Sequence, residues 1–130
     1  MDEKNMLVAL CEYLGRSGVG VFMPEVWREG NFAIFLTGKT DVYKQYVNGD
    51  CILDVGFEIR ARCPGESAND RLEVLKNFSV LSEYAEETLF PEPEIQVIIQ
   101  KDAVKTKVYK DGSEEYHVKG SFRYLKRRGE

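Results

Sequence analysis

The sequence contains a single histidine, His117, and only three cysteines, Cys11, Cys51 and Cys63. That scarcity removes most metal and nucleophile chemistry. No Cys/His spacing suits a tetrahedral zinc site. A histidine acting as a general base needs a partner or a pocket. His117 sits between Tyr116 and Val118 in an alternating segment, out of phase with both, so it points away from the core and reads as a surface residue. The cysteine count is odd and no two are close in sequence, which leaves no disulfide framework. Cys51 and Cys63 bracket one expected strand, which would hold their Cα atoms about 40 Å apart, far beyond disulfide reach. Reduced thiols, as in a cytosolic protein, are the expectation.

Long apolar runs are also missing. Nothing approaches the roughly 20 residues of a membrane span, and MDEKN lacks the basic-then-apolar order of a signal peptide. Synthesis in the cytoplasm without a membrane partner is expected. A strong basic excess is absent too, since the net charge is −4, which argues against a dedicated nucleic-acid binder. The glycines of GRSGVG at 15–20 follow a helical pattern, the wrong context for a phosphate loop. GKT at 38–40 lacks the preceding Gly-rich segment and the following helix. Ser17 and Ser67 have no nucleophile motif, and acids such as Asp50, Asp54, Glu86 and Glu87 read as surface carboxylates. No catalytic residue, metal or cofactor is expected, and the chain reads as a binding protein, not an enzyme.

What is present fits one globular domain over residues 1–130. The chain is 43% hydrophobic and 31% charged, which excludes a disordered segment, and its length is that of one domain. Charge is divided along it: residues 1–100 carry 17 acidic and 9 basic side chains, and residues 101–130 carry 5 acidic and 9 basic. Such a division can put opposite-signed surfaces on different faces and steer self-association or docking. Both could equally be solvated faces.

Periodicity supplies the elements. Met6, Leu7, Leu10 and Leu14 form the stripe of a helix over Lys4–Leu14, stopped by Gly15 and Ser17-Gly18. Val19–Phe22 is a short strand closed by Pro24, and Asn31–Thr37 a second, apolar on both faces and so central. Residues 38–50 read as a polar excursion ending in the tight-turn signal Asn48-Gly49. From Ile52 to Arg62 the alternation is clean: Leu53, Val55, Phe57, Ile59 and Ala61 face the core, and Asp54, Glu58, Arg60 and Arg62 the other side. After Pro64-Gly65, Ser67 and Asp70 resemble a capping box. Ala68, Leu72, Leu75, Phe78, Leu81 and Ala85 then mark the main helix. Glu94–Gln100 is a strand, Lys110-Asp111-Gly112 a turn, and Glu115–Leu125 the last strand. The order α-β-β-β-α-β-β predicts an α+β two-layer sandwich, with a mostly antiparallel sheet and the helices on one face.

Candidate contact residues follow from polarity and aromatic content. Trp27, in the loop EVWREG, either anchors that loop to the core or serves at an interface. Tyr43, Lys44, Tyr46 and Asn48 lie in a stretch too polar to have its own core and read as interface residues. Lys126, Arg127 and Arg128 form either a solvated segment or a contact to an acidic neighbour or a phosphate backbone.

Several segments taken in order carry a resemblance: MLVALCEYLGRSGVGVF, FAIFLTG, YVNGD leading into CILDVGFEIRARC, the Leu-rich RLEVLKNFSVLSEYAEE, and GSFRYLKRR. Together they resemble the tail-terminator and minor-capsid proteins of long-tailed bacteriophages and prophages. The resemblance spans most of the chain and implies a virion protein that forms a ring, commonly a hexamer, on the head-proximal end of the tail tube. Such a ring stops tube growth and docks the head-completion or connector protein, and DNA passes through its lumen without specific binding. The other class of function compatible with the residues is a non-catalytic ligand-binding or regulatory module, with an apolar pocket between sheet and helix near Trp27 and His117.

Overall fold

The computed structural model describes residues 3–25, 32–63, 68–91 and 95–129. Trp27, Ser67 and the PEP segment after Pro91 lie outside or at the margin of these ranges, so the expectations placed on Trp27 and on the Ser67 cap fall outside the described residues. The elements in order are α1 (Glu3–Gly15), β1 (Phe22–Pro24), β2 (Phe32–Gln45), β3 (Cys51–Cys63), α2 (Ala68–Glu87), β4 (Ile95–Ile99), β5 (Val104–Val108) and β6 (Glu114–Lys126). The sheet order is β1-β2-β3-β6-β4, with β5 also paired to β6. The fold is the expected α+β arrangement, with β5 as an additional strand.

The two-residue alternation of β3 and β6 sets the layers. Val55, Phe57, Ile59, Ala61 and Cys63 are buried beside Tyr116, Val118 and Phe122. These side chains share one face, and both helices cover it. α1 contributes Met6, Leu7, Leu10, Tyr13 and Leu14, and α2 contributes Phe78 and Leu81. Phe32 meets Phe78 edge-on at 5.8 Å, and Tyr13 lies 5.1 Å from Phe90. Each large apolar side chain fully buried here contributes about 1.5–3 kcal/mol. The opposite face carries Asp54, Glu58, Arg60, His117 and Arg123, and no helix among the described residues covers it.

Four features differ from the sequence expectation. First, β1 lies over Phe22–Pro24, later than Val19–Phe22, and runs parallel to β2 through Phe22↔Phe32 and Pro24↔Ile34. Second, residues 38–45 are not an excursion, because β2 continues to Gln45 and pairs with β3 as far as Cys51. Backbone hydrogen bonding to a long neighbouring strand overrides the polar composition that suggested a loop. Third, Leu72 and Leu75 are exposed, at 63% and 36%. The inward stripe of α2 runs through Arg71, Val74, Phe78, Leu81 and Ala85, which turns Leu72 and Leu75 outward, and Tyr84 shares the packing. Fourth, β4 and β5 lie one after the other along the same edge of β6, pairing with Gly120–Tyr124 and then Glu114–His117. β5 is absent from the sequence expectation: its Val104/Val108 alternation with Lys105 and Lys107 is only five residues long, exposed throughout and broken by a register shift.

Candidate interaction site

At one end of the sheet β2, β3 and β6 run on together toward a hairpin, with Val55 and Phe122 still in the core and β4 flanking β6 as far as Tyr124; this end of the three strands is here called the arm. It is made of Thr40–Gln45, Cys51–Val55 and Phe122–Lys126 in register. The six residues of β2 in this arm extend about 20 Å. Every residue from Thr37 to Gly49 is exposed.

The arm begins at a bulge. Between Leu36↔Phe57 and Thr40↔Val55, the residues Thr37, Gly38 and Lys39 stand opposite Gly56. Gly38 takes φ 77°, a conformation that disfavours side chains. Gly56 supplies the room, because a Cβ there would lie 2.6 Å from Thr37 Oγ1. A second bulge between Val42 and Lys44 sets Tyr43 out of register. Its ring lies 3.6 Å from the Arg123 guanidinium. Arg123 donates from Nε and Nη2 to the two carboxylate oxygens of Asp54, at 3.0 and 3.2 Å. This forked bond keeps Arg123 above the ordinary arginine value, and Tyr43, Arg123 and Asp54 clamp all three strands of the arm together.

The tip is a tight turn. Gly49, at φ 96°, donates to Tyr46 O at 3.1 Å, and Tyr46 N–H donates to Asp50 O at 2.8 Å. Asn48 Oδ1 accepts from Asp50 N–H at 3.0 Å, so the side chain of Asn48 shapes the turn. The same bonding recurs at the other end of the sheet in Tyr109-Lys110-Asp111-Gly112-Ser113, where Asp111 Oδ1 accepts from Ser113 N–H at 2.9 Å. The Ser113 hydroxyl, donating to Asp111 Oδ1 at 2.6 Å, then the Ser113 amide, with Arg62 close by, hold the Asp111 carboxyl below its ordinary value.

The segment after β6 folds back on this tip. Arg128 N–H donates to Asp50 Oδ1 at 2.7 Å, and the Arg128 side chain lies against Gly49. The structure therefore brings Tyr43, Lys44, Tyr46 and Asn48 together with Lys126, Arg127 and Arg128 on one arm, although about 80 residues separate the two groups in sequence. Lys44 Nζ sits 5.1 Å from the Tyr46 ring. Sequence reasoning missed Val42 and Val47, which are exposed at 60% and 109%, and the holding residues Asp50, Asp54 and Arg123. Alternation in β3 and in β6 puts Asp54 and Arg123 each on the polar face, but their pairing comes from the β3–β6 register.

Elsewhere several polar groups are tied into the fold. Glu114 accepts from Tyr116 Oη and meets Arg71 at 3.3 Å and Lys105 at 3.5 Å, joining α2, β5 and β6. Tyr116 is pushed up to about 12, chiefly by that bond to Glu114, whose own value it lowers. His117 is hydrogen-bonded through Nδ1 to the Thr106 hydroxyl. Among the described residues no group of His, Cys, Asp and Glu is arranged to hold a metal, and no helix is long and apolar enough to cross a membrane. A recess of about 380 Å³ lies on the face away from the helices, lined by Thr37, Lys39, Gly56, Glu58, Gln100 and Lys119 among others. His117 is not among its lining residues.

No protein-family model matches the chain, and a search of curated proteins gives no match.

Proposed function

We propose that this is a non-catalytic assembly protein: a phage or prophage tail terminator that caps the tail tube as a ring, commonly a hexamer, and offers the head-tail docking surface. One observation carries the reading of the surface. The hairpin tip and the basic segment converge on an exposed arm that Asp50 and the Arg123–Asp54 clamp hold in a defined shape. A rigid arm with exposed Val42, Tyr43, Tyr46 and Val47 and basic side chains suits a heterologous contact, the kind that closes into a ring. The specific assignment to tail terminators rests on the resemblance of the ordered segments described above.

The sheet edges support contact through side chains over strand addition. Two bulges interrupt β2, and β5 presents Lys105 and Lys107 with its own register shift. Bulges and edge lysines oppose edge-to-edge pairing. On this reading the tail-tube protein and the head-completion or connector protein are the partners, and the location is the virion. DNA passes through the lumen unbound, which the mild acidic balance favours, since binding requires positive charge to release counterions.

Native mass by light scattering over a wide concentration range tests the proposal, with microscopy of any ring-sized species. A fixed stoichiometry and visible rings are expected. A monomer at every concentration that also fails to close on isolated tail tubes would count against it.

A further inference from the structure

The basic side chains Lys126 and Arg128 of the arm have an acidic counterpart on the same chain. The last two turns of α2 carry Glu83, Glu86 and Glu87, all exposed, with no basic residue in the last turn. Acids at a helix C-terminus lie where the helix dipole is already negative, an arrangement that is unfavourable in isolation. None of the ion pairs among the described residues uses Glu83, Glu86 or Glu87. Lys126 and Arg128 likewise take part in none of them. Apolar groups accompany both sets. Leu89, 93% exposed, follows the acidic turns, and Val47, fully exposed, stands in the tip turn whose Gly49 lies against Arg128.

We infer that the arm of one copy docks on the C-terminal turns of α2 of a second copy, with Lys126 and Arg128 facing Glu86 and Glu87 and Val47 against Leu89. The argument is charge complementarity together with an exposed apolar residue on each side. A basic surface brought to the helix end relieves both the carboxylate repulsion and the unfavourable dipole term. The two patches are different surfaces of the chain, so the contact is heterologous, and repeating it generates a ring or a filament. This inference rests on the self-assembly part of the proposed function and names the surfaces that perform it.

The test is sedimentation equilibrium of the full chain at low salt. Four proteins are compared: wild type, Lys126→Glu/Arg128→Glu, Glu86→Lys/Glu87→Lys, and the variant carrying both pairs. Each pair alone should weaken self-association at least about tenfold, and the combined variant should recover to within about threefold of wild type. Circular dichroism melts check that each variant folds. Association that neither pair alters, in variants that melt like wild type, overturns this contact and leaves self-assembly standing. A monomer at all concentrations overturns this contact, and one that also fails to close on isolated tail tubes overturns self-assembly with it. If a reversal fails to fold, a photo-cross-linking residue at Val47 replaces it. Capture of the 80–91 segment of another copy supports the contact, and capture of any other segment overturns it.

Discussion

The backbone N–H of Arg128 donates to Asp50 Oδ1 at 2.7 Å, closing the segment after the last strand onto the hairpin tip. The same carboxylate takes a bond from Asn48 Nδ2 through Oδ2 at 3.2 Å. One acidic side chain thus fixes both the turn and the basic segment. A hydrogen bond to a charged acceptor contributes about 1.5–3 kcal/mol when sheltered, and less at an exposed site such as this one.

Asp50→Ala should therefore act locally. The Arg128 amide should exchange with solvent about tenfold faster or more, while the melting temperature falls by only a few degrees. Amide exchange followed by NMR reads the first effect and calorimetry the second. Unchanged Arg128 exchange would show that the segment is held by something else.

The arm was only partly legible in the sequence, and the reason is physical. Val55 to Ala61 show a clean phase because helices cover one face and water the other. From Thr37 to Gln45 both faces of β2 are wet, so the alternation that marks a strand is absent, and two bulges break what phase remains. The turn at Asn48-Gly49 was readable because only special residues fit its backbone, and Gly112 was readable for the same reason. β5 alternates Val104 and Val108 with Lys105 and Lys107 over only five residues, all of them wet and interrupted by a register shift, so it is specified by its pairing with β6, which is a long-range fact. The candidate residues Tyr43 to Asn48 and Lys126 to Arg128 could be named separately. Their meeting depends on the β3–β6 register, which sequence alone does not set.

Two glycines should respond differently to alanine. A Cβ at Gly120 would stand 2.4 Å from Phe57 Cζ and 2.7 Å from Ile98 O, both in the packed interior of the sheet. Gly120→Ala should cost about 1–3 kcal/mol through overpacking. At Gly56 the closest atom is the Thr37 hydroxyl, on an exposed side chain that can rotate. Gly56→Ala should cost under about 1 kcal/mol by the same reasoning. Urea unfolding midpoints at constant slope would measure both. Equal costs would refute the distinction.

Glu114 should make stability depend on pH. Its carboxyl is held below the ordinary value, first by the Tyr116 hydroxyl and then by Lys105 and Arg71, against the opposing effect of burial. A group depressed in this way stabilises the fold above its unfolded value, about 4.3, and loses that contribution as pH falls through the folded value. Wild type should weaken as the medium is acidified below about pH 5. Glu114→Gln should be less stable at neutral pH and show a flatter acid limb. The raised phenol of Tyr116 acts at the other extreme: its contribution is complete below the ordinary tyrosine value and declines as pH rises toward about 12. Urea midpoints across pH would record both limbs, and an unchanged acid limb in Glu114→Gln would contradict the assignment.

Arg123 should be irreplaceable by lysine. Its guanidinium forms the two-pronged bond to Asp54 and stacks on Tyr43 at 3.6 Å, so one side chain joins β6 to β3 and to β2. Lysine keeps the charge but lacks the planar fork and the flat stacking surface. Arg123→Lys should lower stability by about 1 kcal/mol. A double-mutant cycle with Asp54→Asn should recover a coupling of similar size. Loosening should also concentrate in the arm, with faster amide exchange in 40–45 than in the core segment of β3. If exchange rises evenly over the whole sheet, Arg123 supports the core and does not act as the clamp of the arm.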